Sequence, residues 1–107
     1  MIYEIRVYQA TEGRADAMRQ RFLKEVAPRM PKHGIELLGV FTAPTEDGRM
    51  TYVTRFKDEQ ARKDGWASLS VDPDWVAAKK ASEANGPLLA EQTISVLSPA
   101  AAGLLLG

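Results

Sequence analysis

Cysteine is absent from this 107-residue chain, and histidine occurs once. The first absence excludes disulfides, thiolate metal sites and thiol nucleophiles, and makes a reducing, cytoplasmic setting the expected one. The second excludes a cage of imidazole ligands within one subunit, so neither a metal nor a cofactor is expected. Net charge is missing as well: 14 Lys and Arg balance 14 Asp and Glu. With no basic run, the chain lacks the electrostatic footprint of a nucleic-acid binder or of a protein held on an anionic membrane. Long hydrophobic runs are lacking too. The stretch from Pro99 to Gly107 is apolar but only nine residues long, against the roughly 20 a membrane span needs. It reads as a tail (99–107) on a single domain (1–98), packed loosely on its own or a neighbouring subunit. The charges in Ile2-Tyr3-Glu4-Ile5-Arg6 interrupt what would be the core of a signal peptide, so a mature start is expected. What is present is ordinary globular composition, 45% hydrophobic and 26% charged, enough for a real core in a chain of this size.

Residues 2–8 alternate with a period of two, the mark of a strand. Thr11-Glu12-Gly13 breaks that pattern. Met18, Phe22, Val26 and Met30 then recur every four residues, drawing an apolar stripe down a helix over about 14–32. Pro28 lies inside it, removes an amide donor and crowds the Lys24 carbonyl, so a kink or break is expected there. Gly34 supplies a left-handed helix end, with His33 in the last turn, where the helix dipole favours positive charge. A second strand is expected over 35–41, a turn at Asp47-Gly48, and a third strand over 51–56. Asp58 caps a helix carrying Ala61, Trp66 and Leu69 that stops near Ser70. Asp72 caps another, with Pro73 at its first position and Val71 meeting Val76 across the cap. Asn85-Gly86-Pro87 ends it before a last strand over 92–97. The order β-α-β-β-α-β, with the second helical segment a pair, specifies an α+β, ferredoxin-like antiparallel sheet with helices on one face.

Side chains alternate across a strand. With Tyr3, Ile5 and Val7 placed against the helices, Glu4, Arg6 and Tyr8 point to the open face. The same reasoning sends Leu37, Gly39 and Phe41, then Tyr52, Thr54 and Phe56, then Thr93, Ser95 and Leu97 to that face. Such a surface is too apolar for water and calls for a two-fold homodimer whose sheets face each other. Arg55 is the misfit of this register: on the helix side it must snorkel to the strand end, or strand three is slipped by a residue.

Three motifs then stand in order: Met1-Ile2-Tyr3-Glu4-Ile5-Arg6-Val7-Tyr8, Lys32-His33-Gly34-Ile35-Glu36-Leu37-Leu38-Gly39 and Asp72-Pro73-Asp74-Trp75. Together they resemble the NIPSNAP family of the dimeric α/β-barrel superfamily over about residues 1–98. The resemblance implies a dimeric barrel with a cavity between sheet and helices or between the two sheets, and brings little chemistry. The sequence departs from the family pattern at Arg55 and in the Ala/Leu tail.

Glu4 and Arg6, two apart on one strand face, form either a pocket-lining ion pair or a structural salt bridge. His33 is either a base or heme ligand or a partner of the last helix carbonyls. Trp66 and Trp75 read as packing residues, and the charges Arg14, Arg19, Arg21 and Lys24, mixed with Asp16 and Glu25, read as a solvated helix face. The segment 48–56 echoes the aromatic strand of an RNA-recognition motif, but a neutral chain with a sealed sheet face does not suit single-stranded RNA. The candidate pocket residues are therefore Glu4, Arg6, Tyr8, His33, Phe41, Tyr52, Thr54 and Phe56. Two functions stay open: a protein that binds a small molecule or a partner, or a cofactor-independent monooxygenase or isomerase whose substrate is steered by Glu4, Arg6, Tyr8 or His33.

Overall fold

The computed structural model describes residues 1–101, so the expectation for the tail beyond them lies outside the described residues. Strand β1 (Ile2–Ala10) leads into helix α1 (Ala15–Arg21). The apolar stripe then continues through a π-helical turn (Phe22–Val26) and two 3-10 turns (Ala27–Arg29 and Pro31–His33). Pro28 and Pro31 explain the change of winding, since neither can donate to a carbonyl four residues back. The amide of Met30 instead reaches both Val26 and Ala27. The expected kink is thus a stepwise change of pitch. The stripe itself holds: Met18, Phe22, Val26 and Met30 are all buried. Gly34 closes the last turn with φ +73°, a conformation that would strain any side chain bearing a Cβ.

Strands β2 (Glu36–Thr42) and β3 (Arg49–Phe56) follow, then helices α2 (Glu59–Ser70) and α3 (Pro73–Ser82), then β4 (Leu89–Leu97). Both caps form as expected. The Asp58 carboxylate accepts from the Ala61 amide, and that of Asp72 from the amides of Asp74 and Trp75. The hydrophobic contact anticipated across the second cap does not bury its members, because Val71 and Val76 both stay exposed.

The four strands form one antiparallel sheet in the order β2-β3-β1-β4. The helices pack on one face, which gives the α+β, ferredoxin-like arrangement. The faces, however, are inverted from expectation on β1 and β3. Directly opposite residues share a face, and the pairs Glu4↔Thr54, Arg6↔Tyr52 and Tyr8↔Met50 lie under the helices. There the Tyr52 ring meets Phe22 at 4.5 Å and Trp66 at 6.5 Å. Tyr3, Ile5 and Val7 therefore occupy the opposite face, together with Val53 and Arg55.

Arg55 ceases to be a misfit in this register. It forms a two-pronged ion pair with its cross-strand neighbour Glu36 at 2.7–2.8 Å and lies over the Tyr3 ring. On β2, a bulge between Leu37 and Gly39 leaves Leu38 without a partner. Leu37, opposite Thr54, faces the helices, contrary to expectation, whereas Phe41, opposite Thr51, faces away as expected. Thr93, Ser95 and Leu97 pair with Val7, Ile5 and Tyr3 and also share the open face. No helix among the described residues is long and apolar enough to cross a membrane.

Candidate functional site

Between the sheet and the helices lies a cavity of about 340 Å³. The strands contribute Arg6, Tyr8 and Gln92, while Arg21 comes from α1 and Lys79 from α3. Trp66, Trp75, Met18, Phe22, Val26, Leu69 and Leu89 supply its apolar walls, and Ser70 sits at its margin. Among the described residues no carboxylate lines it. The two tryptophans, expected only as packing residues, are both packing residues and cavity walls.

Arg6 is the most constrained polar group of the site. Its Nε–H donates to the carboxylate of Glu4, which is wholly buried, and its guanidinium lies 3.9 Å from the Trp66 ring centroid. The second Glu4 oxygen accepts from Arg62 at 2.7 Å, and Arg62 in turn grips Glu59 at 2.6 and 3.0 Å. One buried carboxylate is thus shared by two guanidinium groups, which makes the burial of Glu4 tolerable. Burial works to lower the pKa of Arg6. The hydrogen bond to Glu4, with the electrostatic influence of Tyr52, Glu4 and Tyr8, outweighs it and raises the pKa above the ordinary value, so Arg6 stays cationic.

Tyr8 reaches the cavity with its hydroxyl 2.7 Å from that of Tyr52, and the rings meet edge to face at 5.2 Å. Burial first, then Tyr8, pushes the Tyr52 hydroxyl far above the ordinary tyrosine pKa, so it remains neutral. The indole N–H of Trp66 is buried with no acceptor among the described residues.

The remaining sequence candidates do not gather here. Thr54 and Phe56 are buried core residues beneath the helices, not members of an open-face pocket. Phe41 projects from the other side of the sheet and is 58% exposed. His33 belongs to a separate clasp. Its Nδ1 lies 2.6 Å from Ser68 Oγ and its Nε2 2.8 Å from Asp72 Oδ2, with Lys32 also on Asp72 at 3.2 Å. Both ring nitrogens are therefore engaged by side chains, which explains why it neither binds the helix carbonyls nor offers a free nitrogen to heme.

Ser68, His33 and Asp72 resemble a hydrolytic triad only in composition. Ser68 lies within α2, where neighbouring amides are committed to the helix, so they offer no oxyanion donors. Oδ1 of Asp72 is occupied by the α3 cap. Gly65 eases the clasp: a Cβ there would stand 3.0 Å from the His33 carbonyl oxygen and 3.1 Å from the Ile35 side chain, so a larger residue would have to push one of them back.

The hydrogen bond from His33 holds the Asp72 carboxyl well below the usual carboxylate range, aided by Lys32 and the two cap amides against the opposing effect of burial. A depressed folded-state pKa contributes stability that is fully present above the unfolded value of about 3.9 and is lost as pH falls through that value toward the folded one. Asp72→Asn keeps a capping oxygen but removes the charge. Thermal melts are expected to show the variant less stable than wild type near neutrality. The gap should narrow steadily as pH falls from about 5 to about 3; a gap that is constant with pH would show that the charge contributes nothing.

Arg21, Lys79 and Gln92 were not anticipated. A signal for two of them was present: Arg21 stands three residues after the core residue Met18, and Lys79 four after Trp75, so each borders an inward-facing position on its helix.

A NIPSNAP family model matches residues 3–102. Among curated proteins none matches the chain. Among solved structures, an uncharacterized NIPSNAP domain protein from Burkholderia xenovorans superposes with a TM-score of 0.78 at 24% identity, covering 94% of this chain and 96% of that one. A NIPSNAP family protein of unknown function from Agrobacterium tumefaciens gives 0.77 at 23% identity over 92% and 87%. A protein from Nitrosomonas europaea, named as a candidate antibiotic biosynthesis monooxygenase, gives 0.68 at 9% identity over 94% and 100%. At these identities the structural likeness speaks for the fold alone. The family match, spanning nearly the whole domain and the motifs around Glu4, His33 and Asp72, places the chain in the NIPSNAP family.

Proposed function

We propose that this NIPSNAP chain binds a small organic molecule in the cavity between sheet and helices, as one subunit of a homodimer. The observation that carries the binding role is the convergence of Arg6, Tyr8, Arg21, Lys79 and Gln92 on a space of about 340 Å³ whose other walls are mainly apolar, the usual make-up of a small-molecule site. An oxygenase or isomerase would use the same space. Of the acid-base groups first considered, Glu4 is locked between two arginines and His33 lies in the clasp. Tyr8 alone remains to move a proton there, which favours binding over catalysis.

The homodimer rests on a different residue set from the one first expected, since Tyr52 and Phe56 are consumed by the core. On the open face Phe41 is 58% and Leu97 44% exposed, beside Ile5, Val7 and Val53. Strand β4 is exposed along nearly its whole length at a sheet edge, with Ile94 and Val96 uncovered on its other face. A long apolar edge of this kind is an aggregation hazard unless it is covered, and a second copy of the same face is self-complementary under two-fold symmetry.

Native mass spectrometry of protein purified from its source is expected to show two copies together with a retained small molecule. Phe41→Asp combined with Leu97→Asp should weaken the dimer by at least about tenfold in sedimentation while leaving the fold intact. Single, empty copies of the wild-type chain would contradict both parts of the proposal.

A further inference from the structure

The chain as a whole is neutral, yet its cavity is not. Among the described residues three cationic side chains, Arg6, Arg21 and Lys79, line it, and no acidic one does. Their carboxylate partners stand behind them. Glu4 takes the Nε–H of Arg6, while Glu83 and Ser82 take one terminal nitrogen of Arg21. Both terminal nitrogens of Arg6 and the second of Arg21 have no side-chain or backbone acceptor among the described residues, and Lys79 forms no ion pair among them. The cavity therefore has an excess of donors and of positive charge. An apolar occupant would desolvate these groups without satisfying them, a neutral acceptor would leave their charge uncompensated, and a cationic occupant would be repelled.

The walls select shape as well as charge. Trp66, Trp75, Tyr8 and Phe22 give the cavity an aromatic lining, and Arg6 is held at its Nε by Glu4 and against the Trp66 ring, which restrains the position of its remaining N–H groups. A volume of about 340 Å³ is roughly twice the 150 Å³ that admits one benzene ring.

We propose that the occupant is a planar aromatic acid of one or two rings, its anionic group taken by Arg6, Arg21 and Lys79 and its rings lying against the two tryptophans. The assignment rests on the binding role proposed above and specifies its chemical class.

The chain has two tryptophans, and both line the cavity, so their two indole N–H signals in a ¹⁵N correlation spectrum report occupancy directly. The probes are 2-naphthoate and 2-naphthyl phosphate as acids, 2-naphthamide as the neutral analogue and 2-naphthylmethylammonium as the cation. The acids are expected to shift both signals and to bind at least about tenfold more tightly than the amide. Their binding should weaken as salt is raised, and the tighter of the two acids identifies the head group.

Lys79 is exposed on α3, so its replacement leaves the core untouched. Lys79→Gln should weaken acid binding by about two- to fivefold and Lys79→Glu by more, each affecting the amide less than the acids. Equal binding of acid, amide and ammonium would overturn the acid assignment while leaving the cavity a binding site. Failure of every probe to move either indole signal would overturn the binding role itself.

Discussion

Replacing Glu4 by alanine is expected to destabilise the fold by about 3–5 kcal/mol, the usual consequence of removing one member of a buried ion pair. Glu4 has no exposed surface and is the carboxylate between Arg6 and Arg62. Arg62 would keep Glu59 at 2.6 Å, so the damage falls on Arg6, left over Trp66 with no counter-charge. The double replacement Glu4→Leu with Arg6→Met should recover most of the loss, because an apolar pair of similar volume needs no desolvated charge. Urea denaturation of wild type, single and double variants checks this. A double variant no more stable than Glu4→Ala would mean that packing at these positions, and not the orphaned charge, sets the cost. The double variant should also lose the preference for acids, since Arg6 is a principal donor in the cavity.

Tyr52→Ala carries a comparable expected loss, about 3–5 kcal/mol, as for other buried aromatic residues cut back to alanine. Its ring is fully buried and touched on three sides by Phe22, Tyr8 and Trp66. The void left behind would adjoin the cavity wall at Tyr8 and Phe22. Tyr52→Phe, in contrast, should cost only about 1 kcal/mol, the net value of the single hydrogen bond to Tyr8. The pair of variants separates ring from hydroxyl in one denaturation series. If Phe were as damaging as Ala, the hydroxyl pair and not the ring packing would dominate this part of the core.

The fold was legible because its signals were local. The alternation of residues 2–8, the stripe of Met18, Phe22, Val26 and Met30, the left-handed Gly34 and the caps at Asp58 and Asp72 each depend on neighbours a few residues away. The phase of the sheet was not legible in the same manner. Alternation reveals that Glu4, Arg6 and Tyr8 share a side, but not which side. The simplest assumption, that a carboxylate and a guanidinium belong outside, fails because Arg62 arrives from a helix 58 residues later. Arg55 held the corrective clue: a charge stranded among core positions on β3 indicated that this strand should be turned over, and β1 turns with it. The cavity was legible in part. Arg6 and Tyr8 line it, and Glu4 and Tyr52 hold those two in place. Arg21 was hidden by reading charged helix positions as solvated, Lys79 carried no motif that singled it out, and His33 was drawn to function by residue type when its partners Ser68 and Asp72 make it a fastener.

The unpaired Leu38 gives β2 two opposite parities along its length. Before it, Leu37 belongs to the interior; after it, Val40 takes the inward side and Phe41 the outward one. Losing that single residue would restore regular pairing and keep every face: Gly39 would stay opposite Val53, Val40 inward opposite Tyr52 and Phe41 outward opposite Thr51. A one-codon deletion here would thus remove the bulge and leave core and surface where they are, whereas substitutions at the same position would leave the bulge itself in place.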